Sequence, residues 1–222
     1  MSIVKSYGFT LIELLVALAI SSLVCISLFD CVASIEMLHQ RQLAIGALQE
    51  KIRFLSIFFR KKIQLAGDFS CEPAYIKQQS VIVTRYTAAD AADKLSVAIK
   101  AKTDLLQLHE CVRVNDQWHY LPIYFFVANT HRVSGSGRVI DALFMKIENH
   151  PREELLPNVV DFRITIENTS RKMINIGYVL SSIDDVLKTK NAYWFHGEYV
   201  MPDDLAFYQP GEIDVVPRYA LV

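Results

Sequence analysis

The residues of this chain that could do chemistry are few and scattered. His109-Glu110-Cys111 with His119 offers the imidazole, carboxylate and thiol donors that a metal takes, but no recognised ligand spacing repeats. In a strand His109 and Cys111 are same-face neighbours in any case. Asp184-Asp185 and Asp203-Asp204 could supply oxygen ligands to calcium, and the acidity of ordinary turns accounts for both pairs equally well. Ser134-Gly135-Ser136-Gly137 is too short for a phosphate-binding loop and lacks the lysine that follows one. There is no G-x-S-x-G nucleophile element. The sequence therefore predicts no catalytic residue, no metal site and no cofactor, and the chain reads as something other than an enzyme.

One carboxylate sits in the wrong solvent. From Phe9 to Phe29 the chain runs 21 residues with Glu13 as its single charge. At about 1.5 Å of rise per residue a helix of this length spans roughly 30 Å, the thickness of a bilayer's hydrocarbon core. The run exceeds the roughly 7–15 residues of a signal-peptide core, and no A-x-A type cleavage site closes it, so it reads as a membrane helix that is kept. Lys5 and the amino terminus precede it, while Asp30 and Glu36 follow it. That asymmetry favours a cytoplasmic amino terminus and export of the rest. An ionised carboxylate inside the membrane costs several kcal/mol. Glu13 is accordingly paired, protonated, or shallow enough to reach the headgroups.

Composition fits such a division. The 222 residues are 52% hydrophobic and 21% charged, with a formal net charge of −1. That length suits one or two domains with a real core, and so apolar a chain is not disordered. A charge near zero lacks the electrostatic footprint of a dedicated nucleic-acid binder.

The segment Lys5-Ser6-Tyr7-Gly8-Phe9-Thr10-Leu11-Ile12-Glu13-Leu14-Leu15-Val16-Ala17-Leu18-Ala19-Ile20 resembles the processing site of type IV prepilins and pseudopilins. The family pattern is a short basic leader, then Gly, Phe, Thr, Leu, a branched apolar residue and Glu, then an apolar helix, and every position is matched. The resemblance implies cleavage by a prepilin peptidase between Gly8 and Phe9 and N-methylation of Phe9. It further implies that Glu13 pairs with the positive amino terminus of a neighbouring subunit. Two unpaired charges in low dielectric are both costly, so their meeting would fix one assembly register.

Downstream, the helix continues. No proline occurs before Pro73, and only Gly46 interrupts the run of helix formers. Leu38, Ile45, Leu48, Ile52, Leu55, Phe59 and Ile63 recur three, four or seven apart as one apolar stripe. Gly67 stands where a C-terminal cap belongs. A helix over 9–66 would be roughly 85 Å long. Arg41, Lys51, Arg53, Arg60, Lys61 and Lys62 make its other face basic, and a solvated face is the preferred reading over a contact for headgroups, DNA or another subunit.

Beyond the helix, strand-like runs occupy 81–86, 105–114, 119–127, 142–147, 159–166 and 174–180, rich in β-branched and aromatic residues. Turn signals separate them at Asn115-Asp116, Ser134 to Gly137, His150-Pro151 and Asn168 to Lys172. Two closing strands are expected at Tyr193–Met201 and Ile213–Leu221. The predicted class is α+β: a long N-terminal membrane-spanning helix, pilin-like, with a mainly antiparallel β domain packed on its second half. The expected organisation is a leader at 1–8, a transmembrane or filament-core helix half at 9–30, an amphipathic helix half at 31–66 and an exported domain at 67–222.

Within the family, Leu48 to Phe54, Leu65 to Cys71, Leu156 to Ile164 and Tyr219-Ala220-Leu221 resemble PilW-type minor pilins loosely. Two departures point away from a major pilin. Asp30 stands where many major pilins place a helix-kinking proline, and no cysteine follows Cys111 to close a C-terminal disulfide loop. Cys71 and Cys111 fall in the exported part, where a disulfide is the preferred reading over two buried thiols. Cys25 and Cys31 read as small apolar filler.

The expected function is that of a minor pilin which helps initiate or prime a type IV pilus. The alternatives are a J-type pseudopilin of a type II secretion system, or a pilus-tip binding module for a surface or DNA. Expected partners are prepilin peptidase, other minor pilins and the major pilin, the inner-membrane assembly platform and membrane lipid, with nucleic acid disfavoured. The expected location is the inner membrane, single-pass with a periplasmic domain, and then a pilus or pseudopilus.

Overall fold

The computed structural model describes residues 10–66, 71, 83–87, 95, 98–167, 173–187 and 190–216. The chain divides into two compact units, Met1–Leu43 and Ala44–Val222. One helix, α1, spans Leu11–Leu65. The predicted start at Phe9 and cap at Gly67 lie outside the described residues. At the C-terminal end the Ala66 N–H donates to the Lys62 carbonyl at 3.0 Å.

In the first unit the helix turns its apolar side chains outward all round. Leu11 is 79% exposed and Phe29 75%, and the large hydrophobics between them are exposed too. Its hydroxyls look inward instead. Ser21, Ser22, Ser27 and Ser34 donate to the carbonyls of Ala17, Ala19, Leu23 and Asp30 at 2.7, 2.8, 3.0 and 2.8 Å. Apolar outside with polar groups satisfied within the helix is the arrangement a lipid solvent requires. The helix is long and apolar enough to cross a membrane.

The second unit has an ordinary aqueous core. Strands β1 (Val83–Thr87), β2 (Asp104–Val114), β3 (Gln117–Val133), β4 (Val139–Ile147) and β5 (Glu153–Pro157) form one antiparallel sheet in sequence order. A second sheet runs β10-β7-β6, from β6 (Val159–Glu167), β7 (Met173–Asp185) and β10 (Ala206–Val215). A small hairpin joins β8 (Tyr193–Phe195) to β9 (Glu198–Val200). The α+β class, with one long helix and an antiparallel domain, is what the sequence predicts.

The expected turn at Asn115-Asp116 is a two-residue hairpin with both φ positive, at 49° and 64°, which matches the twist of β2 and β3. Two expectations need correction. Tyr193–Met201 is not one strand, because His196 and Gly197 take φ of 47° and 78° and fold it into a hairpin. The closing strand begins at Ala206 rather than Ile213, running through Pro210, whose missing N–H is tolerated on this edge strand. The expected turn at Asn168 to Lys172 lies outside the described residues.

The core lies between the helix and both sheets. Leu48, Leu55, Phe59 and Ile63 are buried at helical spacing, while Ile52 is partly buried. Leu38, expected at the head of this stripe, is exposed. The Phe59 ring lies 5.3 Å from Phe125 of the first sheet and 5.7 Å from Phe162 of the second. One helix side chain thus ties the two sheets together.

The chain crosses between sheets at Asn158, whose φ of 64° suits an asparagine. Its N–H donates to Asp141 O at 2.8 Å, and its carbonyl accepts from Ser181 N–H at 3.0 Å, one partner in each sheet. Buried Asp104 in β2 adds a third tie by accepting the Ile164 N–H of β6 at 2.8 Å.

Candidate functional site

The segment that carries the processing motif begins to be described at Thr10, so Gly8 and Phe9 lie outside the described residues. Thr10 and Glu13 form a reciprocal cap. The Thr10 N–H and hydroxyl both donate to Glu13 Oε2 at 2.9 Å, and the Glu13 N–H approaches Thr10 Oγ1 at 3.4 Å. This is a capping box, in which a threonine and a glutamate three residues on satisfy each other's otherwise orphaned groups at a helix start. The Thr-x-x-Glu spacing was readable in the sequence as a helix-start signal in its own right. A negative side chain in the first turn also complements the positive end of the helix dipole.

Both Thr10 contacts use the same carboxylate oxygen. Glu13 shares a shallow apolar groove of about 340 Å³ with Ile12, Val16, Ala17 and Ile20. The carboxylate therefore stands in the first turn of the apolar helix, four residues after Phe9 in the sequence.

Residues 4–29 match the prokaryotic N-terminal methylation motif. The match takes in residues 4–8 of the expected leader, the Gly8–Phe9 bond, Glu13 and the apolar run. It supports a protein of the type IV pilin or pseudopilin kind, structural rather than enzymatic and anchored in a membrane. Such a leader implies processing by prepilin peptidase and assembly with other pilins. No curated protein and no solved structure matches the chain.

In the second unit Cys71 and Cys111 form a disulfide with their Cα atoms 6.0 Å apart, while Cys25 and Cys31 are free and exposed on α1. The other residues flagged for metal chemistry are brought into different company. Glu110 pairs with Lys62 of the helix, and the His109 ring stacks on Tyr120 and meets the Gln107 amide at 3.2 Å. Among the described residues no group of three histidine, cysteine or acidic side chains is arranged to hold a metal ion.

The basic helix face is less uniform than its sequence suggests. Lys51 is half-buried, reaches the Pro157 carbonyl at 3.4 Å and has its pKa lowered by that burial. With Lys62 also taken up by Glu110, Arg41, Arg53, Arg60 and Lys61 are left in solvent. Beside Lys61 a concavity of about 840 Å³ is lined by Phe54, Ile57, Leu65 and Trp118, all of them exposed.

Arg138, which sequence reasoning did not single out, is the polar centre of the domain. From the turn before β4 its guanidinium donates to Asp204 Oδ2 at 2.9 Å, to the Tyr208 hydroxyl at 3.2 Å, to the Ile183 carbonyl at 2.9 Å and to the Ser182 carbonyl. Tyr208 donates in turn to Asp204 at 2.8 Å. Burial alone would raise the Asp204 carboxyl, but hydrogen bonds from Tyr208, Arg138 and the Ala206 N–H, with the Arg138 charge, outweigh it and hold the group below the usual carboxylate range. Burial and the Asp204 contact push Tyr208 well up, and burial pushes Tyr178 up to about 12. The Asp204 and Tyr208 shifts belong to an inter-sheet clamp whose partners satisfy one another.

Proposed function

We propose that the chain is a minor pilin of a type IV pilus. In this reading prepilin peptidase removes residues 1–8 at the Gly8–Phe9 bond, Phe9 is methylated, and 9–30 serves first as membrane anchor and then as filament-core helix. Residues 31–66 then carry the exported domain, 67–222, beyond the cytoplasmic membrane. The subunit helps to prime assembly alongside other minor pilins, the major pilin and the inner-membrane platform.

The observation that carries the proposal is the motif over residues 4–29 joined to one unbroken helix whose apolar side chains stay exposed through Ile35. Such a surface is stable only in lipid or among like helices. The exposed Phe54, Ile57 and Leu65 farther along α1 offer more apolar surface of the sort that subunit contacts cover. The Glu13 carboxylate fits its assigned task because Thr10 orients it at the helix start, where it would meet a neighbour's amine.

A J-type pseudopilin of a type II secretion system rests on the same motif and the same helix. Deletion of the gene separates the two. Loss of surface pili and twitching with secretion intact supports the minor pilin, and loss of exoprotein secretion with pili intact supports the pseudopilin. Retained pili and secretion with lost adhesion or DNA uptake would instead favour a tip-borne binding module. In the first case Glu13→Ala should reproduce the deletion phenotype while leaving the protein in the membrane.

A further inference from the structure

The closing segment of the domain has an unusual make-up. Between Tyr193 and Val216 there are five carboxylates, Glu198, Asp203, Asp204, Glu212 and Asp214, and not one lysine or arginine. Tyr193, Trp194, Phe195, Tyr199, Phe207 and Tyr208 lie in the same stretch.

The β8–β9 hairpin sorts these aromatics by face. Tyr193 stacks on Tyr208 at 5.2 Å, Phe195 is buried, and the His196 ring stands edge-on to Phe195 at 4.6 Å. Gly177 of β7 leaves room for that imidazole, since a Cβ there would collide with it. These contacts anchor the hairpin. Trp194 and Tyr199, directly opposite one another across the two strands, are left 63% and 65% exposed, with ring centroids 6.4 Å apart and planes tilted by 52°. A concave site of about 420 Å³ beside them is lined by Trp194, His196, Pro210 and Glu212, among others.

The carboxylates sort as cleanly. Asp204 is taken by Arg138 and Tyr208, Asp203 lies 3.5 Å from Lys190, and Asp214 accepts the Asn175 amide at 2.8 Å. Glu198 and Glu212 have no ion-pair partner among the described residues. Two exposed aromatic rings on one face of the hairpin, with the Glu212 carboxylate in the concavity beside Trp194, repel anions and attract a cation with a flat face. A guanidinium is that group, because it stacks on indole and presents a planar fork of donors to a carboxylate.

We propose that the β8–β9 hairpin and the adjoining edge of β10 dock an arginine-bearing segment of a partner protein. One guanidinium stacks on Trp194 and donates to Glu212, and Tyr199, on the same face of the hairpin, receives the neighbouring part of the segment. The site is independent of whether the chain serves a pilus or a secretion apparatus.

The test uses the full chain in phosphatidylcholine nanodiscs. It carries Trp118→Phe, which leaves Trp194 as the single tryptophan of the two in the sequence. An octapeptide of alternating glycine and arginine is titrated, followed by its glutamate counterpart and a neutral oligosaccharide, with empty nanodiscs as blank. The expected result is a saturable change in Trp194 emission with the arginine peptide alone, weakened by added salt. Anisotropy of a labelled arginine peptide then reads the variants. Trp194→Ala, which leaves every charge in place, weakens binding about tenfold or more, and Glu212→Gln about threefold to tenfold. Glu153→Gln, on β5 of the other sheet, leaves binding unchanged. Equal binding by Trp194→Ala with an unchanged circular dichroism spectrum would reduce the attraction to bulk charge and overturn the proposal. So would equal binding of the glutamate peptide or the oligosaccharide, or peptide-free self-association through this hairpin.

Discussion

The two units of this chain solve the same problem, where to put apolar surface, in opposite ways. In the first unit the large hydrophobic side chains from Leu11 to Leu43 face outward, and the hydroxyls of Ser21, Ser22, Ser27 and Ser34 turn back onto the helix. In the second unit a large set of hydrophobic side chains, among them Leu48, Phe59, Phe125 and Phe162, faces a shared core. The first arrangement leaves the hydrophobic gain to be collected from a lipid or a neighbouring subunit, whereas the second collects it within the chain. Exposure is therefore no defect in a helix long and apolar enough to cross a membrane.

Substitutions should divide along the same line. The largest expected effect is Phe59→Ala, which empties the contact between the helix and both sheets. It should cost about 3–5 kcal/mol by chemical denaturation of the domain followed by tryptophan emission. The counterpart in the first unit, Leu18→Ala, removes a side chain that is 59% exposed and should leave domain stability within about 0.5 kcal/mol. Equal effects from the two would erase the comparison.

Next comes the paired replacement of Cys71 and Cys111 by serine. The bond closes a separation of 40 residues, so its loss should cost about 3–4 kcal/mol, chiefly through the freer unfolded chain. A denaturation midpoint that did not move would contradict this.

Arg138→Met should cost less, about 1–3 kcal/mol, since the ion pair is partly open to solvent while its loss takes the charge partner from Asp204 and a donor from two carbonyls. The pH dependence sharpens the point. Asp204 has a depressed carboxyl, so the clamp's contribution is present above the unfolded value of about 3.9 and is lost as pH falls through the lower folded value. The gap between wild type and Arg138→Met should therefore narrow on acidification. At the other end, Tyr178 and Tyr208 are raised, so their contribution is full below about pH 10 and fades as pH rises towards the folded values. Stability should fall above pH 10 in the wild type, and Tyr178→Phe should blunt that fall. The smallest effect belongs to Lys51→Met. Its burial already disfavours the charged form, so replacing it should shift stability by less than about 0.5 kcal/mol.

Legibility followed how local the determining physics is. The apolar run, the helix from Leu11 to Leu65 and most strands announce themselves through spacing and composition, because each is set by residues a few positions apart. The β5 strand did not, since Glu153-Glu154 reads as surface and its pairing with β4 is a tertiary event. The β8–β9 hairpin was hidden by a continuous aromatic run, although His196-Gly197 sits at its turn. Arg138 was unreadable for a different reason. Its partners Asp204 and Tyr208 lie 66 and 70 residues away, and only the packing of two sheets brings them together. At the amino terminus the Thr10–Glu13 cap was legible and was overshadowed by the larger motif that contains it.

The intact mass of the chain purified from membranes decides whether α1 is a processed assembly helix. With an active prepilin peptidase present, the account predicts a chain that begins at Phe9 and carries one methyl group on its amine. Without the peptidase, or with Gly8→Val, residues 1–8 should remain attached. A chain that retains residues 1–8 beside an active peptidase, or that is cut on the far side of the apolar run, would contradict it.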